Sequence, residues 1–285
     1  MKNKTEYTQD QSPNVGKVYL VGAGPGAADL ITVRGAKLLE QAGIVFHDAL
    51  VEPEMLALCP QAIKVAVGKR CGKLSSAQQF INKRLVDAAQ KHAIVVRLKG
   101  GDPMLFGRAD EELQALKDAG IKVEVVPGIT AALAAAASIG QSLTLRGVSR
   151  SVAFVTLAQA PEVTQNAHAV LPMQNPCADT LVYYMGRKDA AKIAQRLIDQ
   201  NNPHTHTTPV QIMEAVSTTR ERLWSSTLGQ LAQGKSDSWF ESSSPALIMV
   251  GQALQNTSLN LERSSSKIDN GLQDSLLLTH GRRRA

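Results

Sequence analysis

Short apolar runs alternate along the first half of the chain with segments whose apolar residues recur at helical spacing. The runs predict buried strands at 18–21, 44–46, 94–98 and 123–126. The helical segments lie between them, at 30–41, 76–91 and 110–119. Alternation of strands and helices is typical of parallel α/β architecture, in which ligands bind at the carboxyl edge of the sheet. Clusters of Gly, Pro and Asp follow the first, third and fourth of these strands, so we expect a ligand site there.

A second, similar series begins after Gly140. Strands are predicted at 151–157, 180–185, 210–214 and 246–250, with a helix at 188–199. The pattern predicts an α/β protein with two α/β domains. We expect a flexible leader at 1–15, an N-terminal domain at 16–135, a C-terminal domain at 136–254 and a disordered tail at 255–285. The tail ends in three arginines that could touch a phosphate-rich partner, but solvated disorder is the default interpretation.

Composition narrows the class of protein. The 285 residues are 44% hydrophobic, which allows a full core and excludes global disorder. Aromatic residues are only 4%, so the core must be built from Ala, Val, Leu and Ile. The chain carries 31 basic and 25 acidic residues, a net charge of +6. This excess suits an anionic small molecule or simply solubility, and composition does not decide between the two.

Cysteine use and hydropathy predict a cytoplasmic protein. The chain has three cysteines and no C-x-x-C pair, which favours a reducing setting over a disulfide framework or a zinc site. The polar N-terminus lacks the apolar core of a secretion signal. The stretch 125–145 is uncharged, but it contains Pro127 and Gly128 and is rich in Ala. We expect a buried helix there rather than a membrane span.

The first glycine motif, Gly22-Ala23-Gly24-Pro25-Gly26, directly follows a strand. Glycines let a backbone approach a ligand closely because no Cβ stands in the way. With Ala27 in the last position, the spacing fits a dinucleotide fingerprint, and Asp48 could then bind the ribose. Pro25 argues against that interpretation, because it removes an N–H that a phosphate would need. The motif better suits an uncharged nucleoside, while a tight turn without function stays open.

Two further loops follow predicted strands. In Gly100-Gly101-Asp102-Pro103, the glycines open space and Asp102 offers acceptors to an amine or to ribose hydroxyls. An Asx turn explains this segment equally well. Thr130, in Pro127-Gly128-Ile129-Thr130, could point its hydroxyl at a ligand, although helix capping is its default role.

Weaker signals are given their ordinary interpretations. His204 and His206 have H-x-H spacing in a polar loop, and we expect them to be solvated rather than bound to a metal. Met185 is expected in the core. Lys69 and Arg70 form either a solvated loop or a clamp for carboxylates.

Taken together and in order, the motifs resemble the tetrapyrrole methylase family, and within it the members that methylate carbons of uroporphyrinogen III. The resemblance covers about residues 16–254. Seven segments carry it: Val21-Gly22-Ala23-Gly24-Pro25-Gly26, Val67-Gly68-Lys69-Arg70, Arg97-Leu98-Lys99-Gly100-Gly101-Asp102-Pro103, Phe106-Gly107-Arg108, Val126-Pro127-Gly128-Ile129-Thr130-Ala131, Tyr184-Met185-Gly186 and Pro245-Ala246-Leu247-Ile248.

The resemblance implies two α/β domains with S-adenosylmethionine in the cleft between them, in a homodimer. It implies donor contacts at Pro25, Gly100, Gly101, Asp102, Leu105, Thr130, Ala131 and Met185, and less securely at Val216 and Ala246. It also implies proton-transfer roles for Asp48 and Lys69. The implied reaction is methylation of uroporphyrinogen III to precorrin-2, on the route to sirohaem and cobalamin, with no metal and no nucleic-acid or membrane partner. Because this macrocycle carries many carboxylates, candidate clamps are Lys69, Arg70, Arg108 and Arg146.

The chain departs from the family pattern mostly on the presumed tetrapyrrole side. The family's Y-D-R-L-V reads His47-Asp48-Ala49-Leu50-Val51 here, and P-L-T-H-R reads Ser142-Leu143-Thr144-Leu145-Arg146. Three alternatives therefore stay open: the same fold acting on another tetrapyrrole or acceptor, a catalytically poor paralogue that binds donor or tetrapyrrole, and, more remotely, a nicotinamide oxidoreductase.

Overall fold

The computed structural model describes residues 15–67, 74–157, 177–200 and 203–255. Within these residues two five-stranded sheets follow one another along the chain. Each sheet is built from one continuous part of the sequence, as the two predicted series of strands require. The predicted leader, apart from residue 15, and the predicted tail, apart from residue 255, lie outside the described residues.

The first sheet is entirely parallel, with the strand order β3-β2-β4-β1-β5. Its strands are β1 (Lys17–Gly22), β2 (Ile44–His47), β3 (Ile63–Ala66), β4 (Ile94–Lys99) and β5 (Val123–Val126). The connecting helices are α1 (Val33–Gln41), α2 (Pro53–Ala57), α3 (Leu74–Ala89) and α4 (Ala109–Asp118). Parallel pairing places the carboxyl ends of β1, β4 and β5 side by side, which brings the three predicted ligand loops together.

The first sheet is covered by helices on both faces, which explains why its central strands are apolar throughout. On one face, Leu20 and Phe46 pack with Leu85 of α3 and Leu116 of α4. On the other face, Val21, Val45 and Leu98 pack with residues of α1 and α2, including Leu39 and Met55. These two layers hold the strand ends, and hence the loops after them, in fixed positions.

Sequence patterning predicted the three central strands and the edge strand β5, and it missed the edge strand β3. The edge strand β3 is largely exposed and contains Lys64, so it lacks the apolar run of a buried strand. Helix α1 begins at Val33 rather than at Leu30, because the side chain of Thr32 accepts a hydrogen bond from Gly35 N at 3.1 Å and caps the helix. Ala28–Leu30 forms a separate 3₁₀ turn.

The second sheet has the order β6-β7-β10-β8-β9 and is mixed. Its strands are β6 (Val152–Thr156), β7 (Thr180–Tyr184), β8 (Pro209–Glu214), β9 (Arg222–Thr227) and β10 (Ala246–Gly251). Only β6 and β7 pair in parallel, and the other pairs are antiparallel. Helices α6 (Ala190–Gln200) and α7 (Leu228–Ala232) cover one face. The polar edge strand β9 escaped prediction for the same reason as β3.

The uncharged stretch 125–145 contains the buried helix that its sequence predicts, α5 (Ala131–Ile139). Its alanines pack against Val182, Met213 and Leu247 on the second sheet. The predicted domain boundary at 135/136 falls inside this helix, and the division into two domains stays a prediction. No helix in the described part of the chain combines the length and hydropathy needed to cross a membrane.

Candidate functional site

Three loops meet at the carboxyl edge of the first sheet. They are the first glycine loop (residues 22–26, after β1), the second glycine loop (residues 100–103, after β4) and the Thr130 loop (residues 127–130, after β5). The first two are joined by a pair of backbone hydrogen bonds, Gly24 N to Gly101 O at 3.1 Å and Gly101 N to Gly24 O at 2.7 Å. The three motifs that sequence analysis singled out are therefore one structural unit.

Glycine is required where these loops touch. A Cβ on Gly128 would lie 2.3 Å from Gly101 O, and one on Gly22 would lie 2.5 Å from the Cα of Gly128. Neither distance is tolerable between backbone atoms. These two glycines allow the loops to pack closely against each other.

Gly100 and Gly101 serve a different purpose. A Cβ on Gly100 would meet nothing within 4 Å, and one on Gly101 would meet only Thr130 Cα, at 3.9 Å. These glycines face open space rather than protein. Gly100 also borders a recess next to the first glycine loop, lined by Ala23, Gly24, Gly26, Leu50, Val51, Glu52 and Met55. We call this open space beside the backbone of Gly100 and Gly101, together with the adjoining recess, the cradle.

The carboxylate of Asp102 joins two of the loops. Its Oδ2 accepts a hydrogen bond from Gly128 N at 2.8 Å, and its Oδ1 accepts one from Met104 N at 2.8 Å. The second contact is the Asx turn that the sequence allowed. A carboxylate has about four acceptor positions, so Asp102 can still accept from a ligand hydroxyl. Next in this loop, Leu105 donates its N–H to Asp102 O at 3.3 Å and is half-buried.

The default interpretation of Thr130 as a helix cap is wrong. It precedes α5 in the N-cap position, but its side chain caps no helix N–H. Instead, its hydroxyl shares a 2.6 Å hydrogen bond with the hydroxyl of Tyr184 at the end of β7. Ala132 N also donates to that oxygen, at 3.2 Å. Burial raises the pKa of Tyr184, so the phenol stays protonated at neutral pH.

A loop of the second sheet approaches the first glycine loop. Ser217 Oγ accepts a hydrogen bond from Ala27 N at 3.1 Å, and a Cβ on Gly26 would lie 2.9 Å from Val216 O. We call residues 215–218 the Ser217 loop. Ala215 and Ser217 have φ of +47° and +59°, conformations that side-chain-bearing residues rarely adopt. Val216 is buried, and Ala246 lies at the start of β10, paired with Glu214.

Met185 lies outside the core, contrary to expectation. It follows β7 with φ of +56° and is 57% exposed. Its side chain projects from the strand end next to Tyr184. The ordinary expectation that a lone Met fills a core gap is wrong here, because the left-handed backbone turns the residue outward.

Asp48 lies at the edge of the cradle and is held in place from two sides. Its Oδ1 pairs with Arg97 Nη2 at 2.5 Å, and its Oδ2 accepts a hydrogen bond from Gly100 N at 3.2 Å. Its side chain is 32% exposed, so the carboxylate is fixed and still reachable. A carboxylate in this position can take a proton from a ligand in the cradle.

Arg97 belongs to a buried cluster of charges that sequence analysis missed. Its Nε pairs with Glu112 Oε1 at 3.0 Å, and Lys99 Nζ pairs with Glu112 Oε2 at 3.0 Å. Burial opposes the charge on Arg97, but the carboxylates of Asp48 and Glu112 outweigh it and raise the pKa of Arg97. Burial, together with the charge of Arg97, lowers the pKa of Lys99. The sequence did contain a signal for this cluster, namely two cations in the otherwise apolar strand β4. Buried cations need anionic partners nearby, so the strand indicates a buried acidic residue.

The remaining predicted residues include two exposed arginines. Arg108 is exposed and pairs through two nitrogens with Glu111, at 2.7 and 2.8 Å. Arg146 is exposed in the turn that Leu145 and Ser149 close. Lys69 and Arg70 lie outside the described residues. Pro25, which stands between Gly24 and Gly26 in the first glycine loop, is half-buried.

The two histidines do not form a pair. His204 is 2% exposed, and its Nε2 lies 3.0 Å from Ala178 O, so the expectation that it is solvated is wrong. His206 is exposed, as expected. Burial lowers the pKa of His204. Among the described residues, no group of three or more His, Cys, Asp or Glu side chains is arranged to hold a metal ion.

Comparison with known proteins gives consistent matches. Residues 17–232 match the sequence profile of the tetrapyrrole (corrin/porphyrin) methylases. A sirohaem synthase of Zymomonas mobilis is 41% identical over 271 residues, which are 94% of this chain and 55% of that protein. The chain thus spans about half the length of the curated relatives it matches.

Solved structures match across most of the described fold. The uroporphyrin-III C-methyltransferase of Thermus thermophilus, in complex with S-adenyl homocysteine, is 36% identical, with a TM-score of 0.68 over 84% of this chain and 94% of that one. A cobalt precorrin-4 methyltransferase is 26% identical, with a TM-score of 0.67 over 88% of this chain and 100% of that one.

Proposed function

Since the chain belongs to the tetrapyrrole methylase family, we propose that it is an S-adenosylmethionine-dependent C-methyltransferase that converts uroporphyrinogen III to precorrin-2. This reaction would place it in sirohaem and cobalamin biosynthesis. The observation that carries the proposal is the open cradle at Gly100 and Gly101, with a fixed carboxylate, Asp48, at its edge. The similarity to a uroporphyrin-III C-methyltransferase in complex with S-adenyl homocysteine supports this choice of donor and acceptor.

The cradle fits the donor. Open space at two consecutive glycines lets a nucleoside lie against backbone, and Asp102 retains acceptor positions for ribose hydroxyls. In our proposal the donor also contacts Pro25, Leu105, Thr130, Ala131, Met185, Val216 and Ala246. When bound, S-adenosylmethionine supplies a methyl group on a positively charged sulfur, which makes that carbon electrophilic.

The chain's own contribution is orientation and proton removal. In each transfer a pyrrole carbon of the acceptor attacks the methyl carbon, the carbon–sulfur bond breaks, and the product S-adenosylhomocysteine leaves with the electron pair. Conversion to precorrin-2 requires two such transfers and consumes two molecules of donor. Holding the two reactants in line is worth up to about 7–11 kcal/mol in favourable cases. The methylated macrocycle must then lose a proton, and Asp48 accepts it directly or through water. Arg97 and Gly100 N keep the Asp48 carboxylate oriented for this step.

The acceptor's carboxylates need cations at the mouth of the site. We assign this role to Arg108 and Arg146, which are exposed, and to Lys69 and Arg70, with Lys69 also serving in proton transfer. Guanidinium groups suit carboxylates because they form two parallel hydrogen bonds.

We further propose that the protein is a homodimer in the cytoplasm. Size-exclusion chromatography with light scattering would test the oligomeric state, and cell fractionation would test the localisation.

A second acceptor is a specific alternative. The similarity to a cobalt precorrin-4 methyltransferase extends over 88% of this chain. The departures from the family pattern at 47–51 and 142–146 also fall on the presumed acceptor side. The alternative is therefore the same donor chemistry on a later corrin precursor.

One experiment separates these possibilities. The purified chain is titrated with S-adenosylhomocysteine by calorimetry and then assayed under anaerobic conditions with methyl-labelled donor and uroporphyrinogen III. We expect binding and incorporation of label into precorrin-2. Labelling of a corrin precursor but not of uroporphyrinogen III would select the alternative acceptor. Tight binding without labelling of either acceptor would contradict a methyltransferase.

A further inference from the structure

Three aromatic side chains from distant parts of the sequence meet beside the cradle. The rings of Phe106 and Tyr184 have centroids 5.2 Å apart, and those of Phe154 and Tyr184 have centroids 6.1 Å apart. We call these three residues the aromatic cluster. Phe106 comes from the loop between β4 and α4, whereas Phe154 and Tyr184 come from β6 and β7 of the second sheet. In a chain with only 4% aromatic residues, such a meeting stands out.

The aromatic cluster presents apolar surface to solvent. Phe106 is 39% exposed and Phe154 is 37% exposed, although a core position would stabilise either ring more. Phe106 also has a φ of +53°, a conformation that is a genuine outlier for a bulky residue. The fold thus accepts backbone strain at Phe106 and holds its ring where water can reach it. Exposed, strained apolar residues of this kind mark ligand sites.

Tyr184 connects the aromatic cluster to the donor cradle. Its ring packs against both phenylalanines, while its hydroxyl bonds to Thr130 Oγ1 at 2.6 Å and to Ala132 N at 3.2 Å. Thr130 lies beside the cradle, because its Cα is 3.9 Å from the position that a Cβ on Gly101 would take. One end of Tyr184 therefore belongs to the donor side of the site and the other end to the aromatic cluster.

We propose that the aromatic cluster is the subsite that stacks against a pyrrole ring of the acceptor, and that the Tyr184 hydroxyl fixes the Thr130 loop next to it. This inference rests on the proposed function and assigns residues to its acceptor side. An electron-rich pyrrole stacks well on aromatic rings. Arg108, two residues after Phe106, lies at a suitable place in the sequence to meet the carboxylate substituents of the same ring. By contrast, none of the described residues that line the cradle is aromatic.

The test uses two substitutions with opposite expectations. Phe154→Ala removes an exposed ring and should weaken binding of the macrocycle about threefold to tenfold, while leaving S-adenosylhomocysteine affinity unchanged. Tyr184→Phe keeps the ring and removes the hydroxyl, so it should weaken S-adenosylhomocysteine binding about threefold to tenfold and leave the macrocycle affinity unchanged. Macrocycle binding is followed by fluorescence titration with uroporphyrin III, the stable oxidised form, and donor binding by calorimetry.

A matched control lies on the opposite edge of the same sheet. Leu223 on β9 is 45% exposed, and Leu223→Ala should change neither affinity. Equal losses of both ligands in Phe154→Ala, or a loss of donor binding alone, would overturn the proposal and would indicate an adenine site instead. A wild-type chain that binds no macrocycle would also overturn it. A wild-type chain that binds the macrocycle through Phe154 but transfers no methyl group would overturn the proposed function and leave the subsite standing.

Discussion

The two sheets face the same site and treat their strand ends in opposite ways. At the ends of β1, β4 and β5, glycine occupies the crowded or left-handed positions, and Gly24 and Gly101 have φ of +75° and +68°. At the ends of β7 and β8, left-handed positions hold Met185, Ala215 and Ser217 instead. Next to the cradle the first sheet thus uses glycine at left-handed positions, whereas the second sheet uses residues with side chains. Farther along the loop after β4, Phe106 and Arg108 are left-handed as well.

The interiors of the two halves also differ. The first sheet buries ionised groups, Arg97, Lys99 and Glu112, which are all at most 3% exposed. The second sheet's half buries the carboxylate of Glu214, which pairs with the exposed Arg222, and a histidine, His204, whose pKa is lowered by burial. The first half thus buries two cations together with their shared carboxylate, whereas in the second half the buried carboxylate pairs with an exposed cation.

Removing the buried anion gives the largest expected effect. Glu112→Ala leaves Arg97 and Lys99 without their shared carboxylate, and should lower the free energy of unfolding by about 3–5 kcal/mol. Urea denaturation measures the loss. The neighbouring carboxylate Glu111, on the same helix, is 49% exposed, so Glu111→Ala should cost at most about 1 kcal/mol. Equal costs for the two variants would contradict a charge-centred first half.

Crowding of the glycine loops gives the next effect. Gly128→Ala places a Cβ 2.3 Å from Gly101 O and should lower the free energy of unfolding by about 1–3 kcal/mol. Gly100→Ala places its Cβ in open space and should leave stability within about 0.5 kcal/mol of wild type. Thermal denaturation compares the two. Similar melting temperatures would show that the loops are not packed as described.

Substitutions at left-handed positions should change the free energy of unfolding in opposite directions in the two halves. Gly101→Ala introduces backbone strain at φ of +68° and should destabilise the protein by about 1 kcal/mol. Ala215→Gly relieves strain at φ of +47° and should stabilise it by about 0.5–1 kcal/mol. Chemical denaturation of both variants measures the pair. A loss of stability in Ala215→Gly would mean that packing of the buried methyl group outweighs the strain.

The smallest effect concerns pH. Because burial lowers the folded-state pKa of His204 below its ordinary value of 6.5, the unfolded state binds the proton more readily. The stability that the folded protein gains from a neutral His204 is fully present above pH 6.5, and it is lost as the pH falls through the folded-state pKa. Between pH 7.5 and 5.5 the wild-type chain should therefore lose more stability than His204→Gln. Identical pH profiles would show that His204 is solvated after all.

Sequence patterning predicted the parts of the fold that depend on local chemistry. Apolar runs located the central strands, and glycine and proline located the loops that meet at the site. The edge strands β3 and β9 could not be predicted this way, because an exposed edge has no apolar face to reveal it.

The site was predictable in outline only. Its glycines and Asp48 were visible as motifs, and the resemblance named the residues around them. The contacts of Tyr184 with Thr130 and Phe106 join residues at least 54 positions apart, and only the three-dimensional packing shows them. The side-chain partner of Thr130, the exposure of Met185 and the burial of His204 were likewise set by the tertiary structure.

The most direct measurement concerns the open cradle. In Gly100→Leu the new side chain starts from a Cβ with no protein atom within 4 Å, so folding should be unaffected while the donor is excluded. Calorimetry with S-adenosylhomocysteine should show affinity reduced about tenfold or more, with an unchanged melting temperature. Affinity equal to that of the wild type would contradict the assignment of the donor to this cradle.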